Sequence, residues 1–114
     1  MPMKTSELTG DALDWVVAKC EGVLMRWERS THDEAPLEYS PSTDWAQGGR
    51  IIEREKIGLK FWGCAWDARC AYENDDDDVV RQAEGTGETP LIAAMRCYVA
   101  SELGDEVEIP EEFV

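Results

Sequence analysis

The segment Tyr39-Ser40-Pro41-Ser42-Thr43-Asp44-Trp45-Ala46-Gln47-Gly48-Gly49 concentrates the side chains from which a small-ligand site is made. Tyr39 and Trp45 supply flat apolar surface. Ser42 and Thr43, after Ser40, supply directional hydroxyls, Asp44 a carboxylate, and Gln47 an amide that both donates and accepts. Gly48 and Gly49 would let backbone approach a bound group closely. Arg50 and Arg54 follow and place positive charge beside the segment. In such a site Trp45 stacks on a planar group, and Asp44 and Gln47 orient it by hydrogen bonds to ribose hydroxyls or a base edge. Arg50 or Arg54 meets a phosphate. The expected ligand is a small nucleotide-like molecule. The competing reading is an ordered surface loop whose Ser, Thr and Asp satisfy their own turns while Trp45 plugs the core.

Other catalytic patterns are missing. The chain has no G-x-S-x-G elbow, no phosphate-cradling G-x-x-x-x-G-K and no H-E-x-x-H. His32 stands in a polar stretch beside Asp33 and Glu34 and reads as a bystander. Glu53 and Glu55 fall on different sides of a helix, so acid–base work by that pair has little support. No catalytic residue is assigned, and binding is favoured over catalysis. Cys20, Cys64, Cys70 and Cys97 are scattered without a C-x-x-C pair, so no zinc site is expected. Asp75-Asp76-Asp77-Asp78 lacks the alternation, glycine and terminal glutamate of an EF-hand loop, so no calcium site is expected either. No metal and no cofactor is predicted.

Hydrophobic periodicity defines the elements that must carry the segment. Thr9, Asp11 and Gly22 mark the start and end of a first helix, with Leu13, Val16, Val17 and Cys20 on its buried stripe. A short strand is expected over 23–28. A stretch without clear periodicity runs from Ser30 to Gly49, and a short helix from Arg50 to Lys56. Ile57–Trp62 and Cys64–Tyr72 alternate as the strands of a hairpin turning near Gly63, with Cys64 and Cys70 on its apolar side. Cys64 and Cys70 lie roughly 20 Å apart on such a strand and cannot bridge, so all four thiols are expected free. Residues 74–88 read as an acidic linker. A last helix opens on Thr89 and Pro90 and closes at Gly104. Its apolar face is Leu91, Ile92, Met95, Tyr98, Val99 and Leu103, with Ala93, Arg96 and Ala100 roughly opposite. Residues 105–114 form an acidic tail that tucks back through Val107 and Ile109. The predicted fold is one α+β domain over 1–114, a small antiparallel sheet packed against two main helices, with a long polar loop.

The chain is 114 residues long with a net charge of −14. That charge repels phosphate backbones and anionic lipid, so direct nucleic-acid and membrane binding are disfavoured. It serves solubility alone, or an acidic face docks on a basic partner that normally holds nucleic acid. No apolar h-region opens the sequence and no apolar run approaches a membrane span. A cytoplasmic protein with reduced thiols is the expectation.

Three strings resemble the phage NinX family: K-T-S-E-L-T-G-D-A-L-D-W near the start, Y-S-P-S-T-D-W-A-Q-G-G-R-I-I-E-R-E in the middle, and T-P-L-I-A-A-M-R-C-Y-V-A-S-E-L-G-D-E-V-E-I-P-E-E at the end. One departure stands out: the family pattern reads G-G-P-I-I-E where this chain has Arg50. Proline would preset a helix start, whereas arginine adds a charge. The resemblance implies a phage or prophage origin, the cytoplasm of an infected bacterial host and an accessory role, and it supplies no catalytic residues. Capture of a small nucleotide-like molecule as counter-defence is the first expectation. An acidic inhibitor covering the basic nucleic-acid-binding surface of a host protein is the second. Either is compatible with a homo-oligomer.

Overall fold

The computed structural model of the chain describes residues 2–22, 40–73 and 80–109. The expected strand over 23–28, the polar stretch up to Tyr39, His32, the aspartate run and the end of the tail lie outside them. Strand β1 (Pro2–Lys4) and a single 3₁₀ turn lead into helix α1 (Gly10–Glu21). Helix α2 (Trp45–Glu55) is followed by strands β2 (Gly58–Phe61), β3 (Trp66–Glu73) and β4 (Val80–Gly87), then helix α3 (Pro90–Leu103) and strand β5 (Glu106–Glu108). The fold is the α+β arrangement expected, with two antiparallel sheets among the described residues, β1-β5 and β2-β3-β4.

Helix α3 is the hub. It packs on β3 and β4 and also on α1 and α2. Ala93 and Cys97 face the sheet, while Leu91, Met95 and Tyr98 lie on the opposite side of the helix turn. Ala93 is fully buried, so this helix is not the one-faced amphipath the periodicity suggests but an element covered nearly all round. Leu103, assigned to its apolar face, is 51% exposed at the helix end. Thr89 caps the start, its hydroxyl accepting from Ile92 N at 3.1 Å.

The linker reading of 74–88 fails over 80–87. These residues form β4, with Ala83 opposite Cys70 and Gly85 opposite Ala68. Ala83, Gly85 and Gly87 point inward and Gln82, Glu84 and Thr86 outward. The alternation is that of a strand, but its inner positions are too small to read as apolar. Close packing explains their size: a Cβ on Gly85 would lie 2.4 Å from Ala93 O and from Cys97 N. Only a bare backbone lets α3 settle this near the sheet.

The hairpin forms as read, with Leu59 opposite Ala68 and Phe61 opposite Trp66. Cys64, however, is exposed in the turn rather than on the apolar face, because β3 starts only at Trp66. Cys70 is buried as expected, and all four cysteines are free thiols. The tail does tuck back: β5 pairs with β1, Val107 opposite Met3, and Val107 and Ile109 are buried. Thr5 fastens this corner through its hydroxyl to Gly104 O at 2.7 Å and its NH to Asp105 O at 2.7 Å.

Candidate functional site

Helix α2 begins at Trp45, so Gly48 and Gly49 are helical residues and not a flexible loop. The sequence signal was Asp44, whose carboxylate accepts from Ala46 N at 2.8 Å as a helix cap. Before it, Thr43 N and Asp44 N donate to Ser40 O, and Ser40 N donates to Gln47 Oε1 at 2.6 Å. Ser42 is only 1% exposed; its NH donates to Asp14 of α1 at 2.9 Å, and its hydroxyl has no hydrogen-bond partner among the described residues. Burial raises the Asp14 carboxyl above its ordinary value, and Ser42 offsets part of that rise. Gly48 is buried where a Cβ would sit 2.2 Å from Pro41 O and 2.7 Å from Leu91 Cδ2. Helix α2 docks on α3 through that missing side chain.

Arg54 lies ten residues beyond Asp44, about 15 Å along the helix axis, and does not share a site with it. Its guanidinium grips both oxygens of Glu21 at 2.8 and 2.6 Å and reaches Glu55 at 2.7 Å. The Tyr98 hydroxyl donates to the same Glu21 carboxylate, and Arg54 lies over the Tyr98 ring at 5.6 Å. The Arg54 hydrogen bonds hold the Glu21 carboxyl below its ordinary value against some desolvation. Burial and the Glu21 carboxylate push the Tyr98 phenol up. This cluster ties the ends of α1 and α2 to α3. The pairing of Glu21 with Tyr98 carried no sequence signal, since it joins distant parts of the chain.

Of the residues expected to hold a ligand, Ser42, Asp44, Gln47 and Gly48 therefore come together around the start of α2, with their groups engaged by the fold or buried in it. Trp45 is not a core plug: it is 54% exposed, beside Gly49, with Thr43 and Arg50 also at the surface. Tyr39 lies outside the described residues.

A second constellation occupies the outer face of the three-stranded sheet. Strand register sets Lys60 opposite Asp67 and Gly58 opposite Arg69. Just past β2, Trp62 is 59% exposed, and Lys60 Nζ stands 4.0 Å from its ring centroid. Arg69 Nε lies 3.3 Å from Asp67 and 3.4 Å from Glu84 on the next strand. Gly58, Leu59, Lys60, Trp62, Asp67 and Arg69 line a cleft of about 440 Å³. A volume in the range of small-ligand pockets, an exposed indole with Lys60 over its ring, a second cation and a carboxylate suit a planar anion. The available signal was the wet side of the hairpin alternation, K60 and W62 against D67 and R69, where an indole is out of place among solvated residues.

A smaller cleft, about 240 Å³, is bordered by Lys4, Glu84, Arg96, Asp105 and Glu106 among others. Its Arg96 is spent on two backbone carbonyls, Leu8 O at 2.8 Å and Thr86 O at 2.7 Å. Among the described residues no group of three or more His, Cys, Asp or Glu could hold a metal ion. No described helix is long and apolar enough to cross a membrane.

A model of the family described as Bacteriophage P22, NinX matches residues 4–102, from the end of β1 to the last turn of α3. No curated protein matches the chain.

Proposed function

The chain belongs to the Bacteriophage P22 NinX family, and from that premise we propose that this phage accessory protein binds and sequesters a small nucleotide-like anion, on the outer face of its sheet. The observation that carries the reading is the cleft lined by Trp62, Lys60, Asp67 and Arg69, in which the indole and both cations are exposed and the half-buried Asp67 carboxylate lies against Arg69. Trp62 stacks on the base, Lys60 and Arg69 meet the phosphate, and Asp67 accepts from ribose hydroxyls. Trp45 and Arg50 are the second candidate surface, because the other groups near them serve the fold. Phage accessory proteins of this size commonly act on host machinery or defence, and by that analogy the role is counter-defence.

Calorimetric titration with purine and pyrimidine mononucleotides tests it. Saturable binding that Trp62→Ala weakens by roughly tenfold or more, while Trp45→Ala leaves it within about twofold, is the expected result. Heat that does not saturate across the panel overturns it.

A second reading rests on charge. With a net charge of −14, the chain keeps Glu102, Asp105, Glu106 and Glu108 exposed around the end of α3 and β5. An acidic face of this kind suits a host protein whose basic surface normally holds nucleic acid. Host proteins captured at low salt, released steeply as salt rises and lost when these carboxylates become amides would favour this reading.

A further inference from the structure

The interior holds a pair of sulfurs that neither binding reading uses. Cys70 on β3 and Cys97 on α3 stand with Sγ atoms 3.4 Å apart, and Cys97 Sγ also lies 3.3 Å from Ala83 O. Ala83 is the residue paired with Cys70 across β3 and β4, so Cys97 sits directly above that rung of the sheet. The close approach is built in by Gly85, whose missing side chain lets the backbone of α3 come down at Cys97. Cys97 is fully buried and Cys70 is 6% exposed. The two residues are 27 apart in sequence, and a bond between them would enclose β4 and tie the sheet to its central helix.

We propose that Cys70 and Cys97 form a buried dithiol that a peroxide-class oxidant closes into an intramolecular disulfide, a two-electron modification site at the centre of the fold. Cys70, the more accessible, loses its proton and attacks one peroxide oxygen. The O–O bond breaks, giving a sulfenic acid on Cys70 and one water. Cys97 sulfur then attacks the sulfenic sulfur, the S–O bond breaks, and the departing hydroxide takes up the Cys97 proton as a second water. Two thiols and one hydrogen peroxide thus give one disulfide and two waters, the sulfurs losing the two electrons that the peroxide gains. From 3.4 Å the sulfurs have to close by roughly 1.4 Å to reach a bond. Burial, with the neighbouring Cys70 sulfur next, pushes the Cys97 thiol well up. Cys97 therefore keeps its proton at neutral pH, and the closing step is slow and accelerates with alkali.

Peptide mapping of the folded, full-length protein after hydrogen peroxide, with thiols alkylated only after unfolding, tests the proposal. The expected product is a cross-link of Cys70 with Cys97, lighter by two hydrogens and reversed by a dithiol reductant. Its melting temperature should rise on the order of 10 °C. The same product is expected from Cys64→Ser, which removes the exposed competitor without touching the core. Recovery of Cys70 and Cys97 as alkylated thiols in both proteins, with oxidation confined to Cys20 or Cys64 or to cross-links between copies, would overturn it.

Discussion

Helix α2 and the outer face of the sheet each present an exposed tryptophan near arginine or lysine, yet they differ in where their polar atoms go. Around α2, Asp44 caps the helix, Gln47 holds Ser40, and Arg54 grips Glu21 and Glu55. On the sheet, Lys60 and Trp62 touch each other above a cleft. Arg69, though near Asp67 and Glu84, keeps its side chain 60% exposed. Directional groups that close the fold are unavailable to a ligand without loss of stability, whereas groups held at the surface of a paired hairpin are available at little cost. A list of residue types cannot separate these cases, because both contain the same chemistry.

Substitutions in the first region should register as stability, beginning with the largest. Gly48→Leu forces a side chain into Pro41 O and Leu91 and should cost about 3 kcal/mol or more in chemical denaturation. An unchanged unfolding midpoint would mean that α2 is not docked there.

Arg54→Ala removes the two hydrogen bonds to Glu21 and should cost about 1–2 kcal/mol, since the pair is half exposed on the arginine side. Its pH dependence follows from the depressed Glu21 carboxyl. That contribution is present above the ordinary value of 4.5 and is lost as pH falls through the lower folded value. The gap between wild type and variant should close in acid; a gap constant with pH would place the cost elsewhere.

Asp14→Asn should go the other way. A carboxyl raised by burial favours the fold below its ordinary value of 3.8 and loses that contribution as pH rises through the folded value. The amide still accepts from Ser42 N without the desolvated charge, so a gain of about 0.5–1 kcal/mol at neutral pH, vanishing in acid, is expected from melting curves. Equal or lower stability at neutral pH would show that the ionised form is better solvated than its burial implies.

The smallest effect on stability belongs to the sheet. Trp62→Ala should stay within about 0.5 kcal/mol of wild type, the range of an unsupported surface residue. A larger loss would make that indole part of the fold and erase the contrast.

Much of this architecture was legible. The hairpin, α1, α3 and the return of Val107 and Ile109 to the core follow from apolar spacing and from Thr, Pro and Gly at helix ends. What escaped reading depends on contacts made at a distance. Gly85 and Gly87 look like linker residues until α3 lies against them. Gly48 looks like a place for backbone to approach a ligand until Pro41 and Leu91 surround it. Arg54 looks like a phosphate ligand until Glu21 and Tyr98 reach it. Trp45 was weighed as a core plug and is exposed, while Trp62, singled out for nothing, is the more exposed of the two.

On the proposed function, the sheet face and not the α2 segment holds the small anion. Amide and indole NMR shifts of isotopically labelled protein, followed while adenosine and guanosine monophosphate are titrated in, test it directly. Saturable shifts are expected at Lys60, Trp62, Asp67 and Arg69, with the Trp45 indole nearly still. Shifts centred on Trp45, Gly49 and Arg50, with Trp62 unmoved, would contradict it.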